Sequence, residues 1–255
     1  MPLGACIVVA GGNPLQGAVA IGGAKNSAVA AMAAAALAEE ETVLENMPED
    51  TDVDMMGRIL AHLGCRVVRH HRRVRVSGRG LRARRPPDDL ARRLRASFYM
   101  AGVLLARLGE AEVPLPGGCP LGSRPVDFHL EGFRRLGAQV DLVHGCVRAR
   151  ARRLAGTEIY INRASVGTTI NLMLAASLAQ GTTVLVNAAR EPEVVDTAVL
   201  LSAMGGRIQG AGTDVIRIDG VRRLTGARHA IIPDRIEAGT FLAAAGLCGG
   251  EVRLL

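Results

Sequence analysis

One pattern recurs four times along this chain: a helix of small residues, a short acidic or glycine-containing turn, and a strand-forming run. The copies are Ala24 to Leu44, Arg95 to Leu115, Ser165 to Val186 and Ile236 to Leu254. Val43, Val113, Val184 and Val252 hold equivalent strand positions, spaced by about 70 residues. A unit of this kind cannot bury its apolar face alone, so the copies must pack on one another. After each of the first three strands comes a second helix: Asp54 to Gly64, Asp127 to Gly137 and Asp196 to Gly205. Each has an aspartate near its expected start and a glycine at its end, where a left-handed C′ residue stops a helix. Strand pairs follow, as in Val67 to Val76 and Ile208 to Ile218. The unit reads as β-α-β-α-β-β. The fold class expected is α/β (α+β), with one complete lobe of three repeats over 22–234. Residues 1–21 read as two strands, Ile7-Val8-Val9 and Ala18-Val19-Ala20-Ile21, around Gly11-Gly12. With 235–255, where a fourth repeat starts, they are expected to belong to a second similar lobe that is only partly present.

About half of the 255 residues are apolar, enough for a sizeable core, yet the chain has no Trp and only 2% aromatics. The core must therefore be close-packed alanine, valine and leucine, and the lack of Trp argues against aromatic stacking platforms for bases. The five cysteines, Cys6, Cys65, Cys119, Cys146 and Cys248, are scattered without a C-x-x-C pair. That pattern predicts a reducing, cytoplasmic setting with neither a disulfide framework nor a metal site. The chain opens with no export signal, and no apolar run reaches the ~18–20 residues of a membrane span. The net charge of +7 gathers between Arg69 and Arg95. There Val74 and Val76 alternate with Arg73, Arg75 and Ser77, and Pro86-Pro87-Asp88-Asp89 precedes a helix. This reads as a solvated sheet edge rather than a nucleic-acid surface.

Two segments carry chemistry. Pro116-Gly117-Gly118-Cys119-Pro120-Leu121-Gly122-Ser123-Arg124-Pro125-Val126-Asp127 sets one thiol on a Gly/Pro-rich loop just before an arginine and a carboxylate. Glycines free this backbone and prolines limit its range, so the loop can carry a reactive sulfur over a bound anion. The bland alternative is that Cys119 is a small buried hydrophobe on a plain connection. The second segment is Gly22-Gly23-Ala24-Lys25-Asn26-Ser27. Thirty of the 31 basic residues are arginine, and Lys25 is the sole lysine. At an expected helix start, Lys25 and backbone N–H groups can hold an anion together.

These segments, with Arg95-Ala96-Ser97, Ser165-Val166-Gly167, Asn187-Ala188-Ala189-Arg190-Glu191-Pro192-Glu193 and Pro233-Asp234-Arg235-Ile236-Glu237, resemble the UDP-N-acetylglucosamine 1-carboxyvinyltransferase family of enolpyruvyl transferases. The resemblance covers the whole chain. Gly22 stands where that family usually has serine, Ala30 where it often has proline, and Arg163 where lysine is common. The related enolpyruvyl transferase of the shikimate pathway lacks the cysteine loop, so Cys119 and the run from Arg124 to Asp127 favour the sugar-nucleotide enzyme.

The resemblance implies an inside-out α/β barrel lobe, with helices packed inside and sheets outside. That arrangement would account for the runs Ala28 to Ala38 and Leu172 to Leu178, which have little polar face. It also implies transfer of the enolpyruvyl group of phosphoenolpyruvate to the 3′-hydroxyl of UDP-N-acetylglucosamine, the first committed step of peptidoglycan synthesis. In those roles Cys119 is the acid, and Lys25, Arg95 and Arg124 supply positive charge. Asn26 bonds substrate, and the nucleotide lies along Arg124, Pro125, Val126, Asp127 and Phe128 and along Arg163, Ala164, Ser165 and Val166. Near Arg124 and Lys25 the thiol is expected to ionise more readily than in water. Glu191 and Glu193 read as a solvated turn, and His129 as a weak candidate base. No cofactor, metal, nucleic acid or membrane enters the expectation, and the protein is expected to act as a cytoplasmic monomer. The alternative is a shortened, non-catalytic lobe that binds the sugar nucleotide.

Overall fold

The alternation of small-residue helices with short valine-bearing strands resolves, in a computed structural model that describes residues 6–117 and 125–255, into two units. Residues 23–232 form one, and those up to 22 together with 233–255 form the other. In chain order the elements are β1 (Leu15–Val19), α1 (Lys25–Ala35), β2 (Thr42–Glu45), α2 (Thr51–Leu63), β3 (Arg66–His70) and β4 (Arg73–Ser77). A short α3 (Asp88–Ala91) and a 3₁₀ turn over Arg95–Phe98 then lead into α4 (Tyr99–Leu108), β5 (Glu110–Pro114), α5 (Asp127–Arg135), β6 (Gln139–Val143) and β7 (Cys146–Arg150). The third repeat comprises β8 (Glu158–Tyr160), α6 (Val166–Ala176), β9 (Thr182–Val186), α7 (Pro192–Ala203), β10 (Arg207–Gln209), β11 (Val215–Asp219) and β12 (Arg228–Ala230). Last come α8 (Arg235–Cys248) and β13 (Gly250–Leu254).

Each repeat builds one outer sheet of the larger unit. Their strand orders are β12-β2-β4-β3, β5-β7-β6 and β10-β11-β9-β8. The first and third are mixed: β12 joins β2 and β8 joins β9 in parallel, while the other pairs are antiparallel. Because β12 follows the third repeat yet pairs with the first, the chain closes this unit into a ring. Inside the ring lie α1, α4 and α6. From Ala28 to Ala38 every residue is buried, and so is every residue from Thr168 to Ala176. A helix buried on all sides has no polar face to show, which is why these runs lack amphipathic period. The left-handed C′ expectation holds at Gly64, Gly137 and Gly205, with φ of 104°, 92° and 94°.

One contact between inner helices explains an internal glycine. A Cβ on Gly102 of α4 would collide with the side chain and carbonyl of Asn171 on α6. The Asn171 amide replaces a turn of helix hydrogen bonding: Gly102 N–H donates to its Oδ1 at 3.0 Å, and its Nδ2 donates to the Phe98 carbonyl at 2.8 Å. In an unbroken helix those two groups, four residues apart, bond each other. The inserted amide sits where the 3₁₀ turn passes into α4.

In the smaller unit β1 and β13 pair in parallel and α8 leans on both. Of the two N-terminal strands expected, one forms: Ala18 and Val19 lie in β1, but Ile7-Val8-Val9 is not a strand, and these three residues are exposed. Asp196 is a second difference. It does not start α7, which begins four residues earlier behind the Glu191 N-cap with Pro192 at its first turn. Proline is a better first-turn residue than aspartate is a late cap, and Asp196 turns inward instead.

Candidate active site

Three repeats in a ring bring the N-termini of the three inner helices to one place. A cavity of about 390 Å³ is lined by Lys25 and Asn26 of α1, by Arg93, Leu94, Arg95 and Ala96 at the approach to α4, and by Ser165, Val166 and Gly167 at the head of α6. Each helix start contributes inward N–H groups and the positive end of its dipole. Ser165 caps α6, its Oγ accepting from Thr168 N–H at 3.3 Å. The N-cap of α1 is Ala24, which offers no side-chain acceptor, and the first turn of α1 holds no acidic residue. Asp52, two residues past the Asp50 N-cap of α2, reaches Lys25 instead, with Nζ–Oδ2 at 2.8 Å.

Arg95 is held by its own chain: Nη2 donates to the Pro125 carbonyl at 3.4 Å. Val29, Asp52, Phe98, Tyr99, His129 and Glu193 complete the lining. Glu193 departs from the expected solvated turn, because it lies on α7 and is only 6% exposed. His129 is buried and packs edge-on to Phe98, ring centroids 5.0 Å apart. Its Nδ1 lies 3.1 Å from Asn171 Nδ2, an atom already committed as a donor, so His129 Nδ1 accepts and the proton of the neutral ring sits on Nε2. Burial, helped by the charge of Arg95, pushes the His129 pKa down to about 3. A ring this reluctant to protonate is a hydrogen-bond donor near neutral pH and a poor general base.

The sequence-chosen residues divide between two hollows. Lys25, Asn26, Arg95, Ser165 and Val166 share the first. Asp127 and Phe128, at the start of α5, line a second of about 740 Å³ with Tyr160, Ile161 and Asn162. Val126 is the buried N-cap of α5, and Pro125 precedes it. Arg163 and Ala164 lie exposed on the loop between β8 and the Ser165 cap. Cys119 and Arg124 lie outside the described residues. Asp52, Arg93 and Tyr99 were not foreseen, since nothing local to them in the sequence says that they face Lys25 or Arg95. Among the described residues no group of three or more His, Cys, Asp or Glu is arranged to hold a metal, and no helix is long and apolar enough to cross a membrane.

A family model described as EPSP synthase (3-phosphoshikimate 1-carboxyvinyltransferase) matches residues 9–255. The chain is 56% identical over 247 residues to UDP-N-acetylglucosamine 1-carboxyvinyltransferase 2 of Symbiobacterium thermophilum, covering 96% of this chain and 58% of that one. It is 51% identical over 249 residues to a protein of the same name from Clostridium acetobutylicum, covering 97% and 60%. The chain thus spans about three-fifths of these relatives' length. Among solved structures, the enolpyruvyl transferase NikO from Streptomyces tendae superposes with a TM-score of 0.84 at 27% identity, over 96% of this chain and 58% of that one.

Proposed function

The chain belongs to the EPSP synthase (3-phosphoshikimate 1-carboxyvinyltransferase) family, and from that premise we propose that it carries the cysteine-bearing lobe of an enolpyruvyl transferase. Phosphoenolpyruvate is the donor, the 3′-hydroxyl of UDP-N-acetylglucosamine the acceptor, and phosphate the leaving group, in the committed step of peptidoglycan synthesis. The observation that carries this reading is the convergence of three helix N-termini with Lys25 and Arg95 on one cavity. A donor bearing a carboxylate and a phosphate needs fixed positive charge on several sides, and helix ends with preorganised cations provide it without reorganisation.

In the addition step the acid protonates the methylene carbon of phosphoenolpyruvate, while the sugar hydroxyl gives up its proton to a base and its oxygen bonds the neighbouring carbon. In the elimination step that methyl group gives a proton back as the C–O bond to phosphate breaks. Cys119 supplies the acid, on the strength of its sequence match, and Arg124 adds to the charge of Lys25 and Arg95. Neutral His129, with its proton on Nε2, donates a hydrogen bond and takes no proton. The second hollow, with Asp127 and Phe128, is assigned to the nucleotide, because an aspartate accepts from base or ribose donors. The choice of acceptor rests on the run from Arg124 to Asp127 and on relatives near 50% identity that bear the sugar-nucleotide name.

Intact-protein mass spectrometry after incubation with phosphoenolpyruvate, or with fosfomycin, tests the reading. An adduct on Cys119 that is absent from Cys119→Ala is expected, and its absence from the unaltered chain removes Cys119 from the role. Phosphate release with UDP-N-acetylglucosamine tests turnover. Calorimetric binding of the sugar nucleotide without phosphate release would replace the catalytic reading by that of a binding lobe.

A further inference from the structure

Behind the first turn of α1 lies a buried polar cluster that none of the chemistry above uses. The Ser27 hydroxyl donates to Asp196 Oδ2, and His229 Nε2 lies 2.8 Å from Asp196 Oδ1. Ser27 is fully buried, and the side chains of Asp196 and His229 are 3% and 9% exposed. The three residues come from three elements, α1, α7 and β12. The cluster is not a Ser-His-Asp triad: the carboxylate stands between hydroxyl and imidazole, so the imidazole does not reach the serine proton, and a fully buried hydroxyl faces no substrate.

Its position suggests another use. The first turn of α1 runs Lys25-Asn26-Ser27, and that helix has neither a side-chain cap nor an acidic residue of its own there. Asp196 brings the missing negative charge from α7, against the third residue of the helix, where it complements the dipole. His229 ties the other carboxylate oxygen to β12, the strand that closes the ring on β2. The same face of α7 carries Glu193, one turn earlier, into the cavity. One side chain thus fixes the start of α1 to the helix that forms part of the cavity wall and to the closing strand.

We propose that Asp196 is a positioning residue for Lys25, clamping the first turn of α1 through Ser27 and anchored in turn by His229. The functional half of this inference rests on the phosphoenolpyruvate reading; the structural half does not. Lys25 is the sole lysine of the chain, so an amine-directed acylating reagent sees only Lys25 and the N-terminal amine, and the latter is an internal reference. In Asp196→Ala the ratio of Lys25 to N-terminal acylation is expected to rise about tenfold, the scale of one lost hydrogen bond to a charged group, with phosphoenolpyruvate affinity falling by a similar factor. Asp196→Asn, which keeps both hydrogen bonds with a changed histidine tautomer, restores most of the ratio. Ile216→Ala, a fully buried change in β11, is the control for general loosening. Equal acylation in Asp196→Ala and Ile216→Ala overturns the proposal, as does an unchanged ratio in Asp196→Ala. Should Asp196→Ala not fold, Ser27→Ala decides by the same ratio, expected to rise by a similar factor because it removes the same bond to the carboxylate. If the unaltered chain binds no phosphoenolpyruvate, the proposed function falls while the acylation ratio still tests the clamp.

Discussion

Replacing Asn171 by leucine tests whether the inserted amide is what holds the head of α4. The substitution keeps the volume and removes three hydrogen bonds at a fully buried site. The Phe98 carbonyl, the Gly102 N–H and His129 Nδ1 then lose their partners, at about 1–3 kcal/mol for each buried group left unmade. Phe98 and Gly102 stand four apart, so they could in principle bond each other and reduce the loss to the His129 term. Leucine prevents this: the Asn171 side chain fills the space against Gly102 where even a Cβ has no room, and a branched side chain of equal size keeps the turn wedged open. The three groups together cost about 3–9 kcal/mol, so after crediting the apolar replacement with ~1–2 kcal/mol of burial the expected loss is about 1–8 kcal/mol, centred on about 4–5. That is a large part of the ~5–15 kcal/mol that holds an ordinary domain together. Urea unfolding followed by far-ultraviolet circular dichroism measures it, provided the slopes of variant and parent agree. A loss under about 1 kcal/mol would refute the reasoning, because it would mean that the helix ladder closes without the amide.

Two further outcomes follow from the perturbed groups. His129 is depressed to about 3 in the folded state, against about 6.5 when unfolded. The unfolded chain therefore binds the extra proton between those values, so this residue's contribution is complete above about pH 6.5 and is lost as pH falls toward 3, at up to ~1.4 kcal/mol per unit. Denaturation midpoints of His129→Phe should fall less steeply across that window, and parallel profiles would contradict the assignment. Among the described cysteines, Cys6 and Cys248 are exposed while Cys65 and Cys146 are buried, and burial pushes the Cys65 thiol up to about 11. Mass-mapped labelling by a thiol reagent at neutral pH should mark Cys6 and Cys248 first and Cys65 only on unfolding; early labelling of Cys65 would be inconsistent with its placement.

Sequence periodicity made the repeat legible because each unit states its own ends. Strand valines, alternating Arg73-Val74-Arg75-Val76 and the glycines at 64, 137 and 205 are local signals, and Val74 and Val76 are indeed buried between exposed arginines. The arginine-rich stretch is neutralised locally too: Arg73 pairs with Glu45, Arg84 with Glu110 and Arg85 with Glu112 and Asp88. What could not be read was any partner far along the chain. Asp196 looked like a helix start because an aspartate near a helix usually is one, but its partner Ser27 lies 169 residues away. Asp52 and Glu193 likewise gain meaning only from the ring that faces them toward Lys25 and Arg95. Ile7-Val8-Val9 misled in the other direction, since a β-branched run is a strand only where another strand pairs with it.

Closing three like-oriented inner helices into one ring also decides where an anion can go. The N-termini of α1, α4 and α6 meet at the cavity with Lys25 and Arg95, whereas Arg107 donates to the Leu37 carbonyl, beyond the end of α1, at 2.8 Å. Arg107, Arg152, Arg153 and Arg222 line a separate hollow with Leu108 and Leu178, where α4 and α6 end. Arg107 there faces carbonyl oxygens and the negative ends of dipoles, so its charge is taken up by the protein itself. At the other end helix dipoles and side chains carry the same sign, and their positive charge is opposed by the carboxylates of Asp52 and Glu193. An entering ligand must draw Lys25 from Asp52 or share it. A monoanion gains little from that exchange in a partly hydrated site, while a ligand with a carboxylate and a phosphate can engage Lys25 and Arg95 together. Under the proposed function, selection for a doubly anionic donor would thus come from the direction of the helices as much as from the choice of side chains.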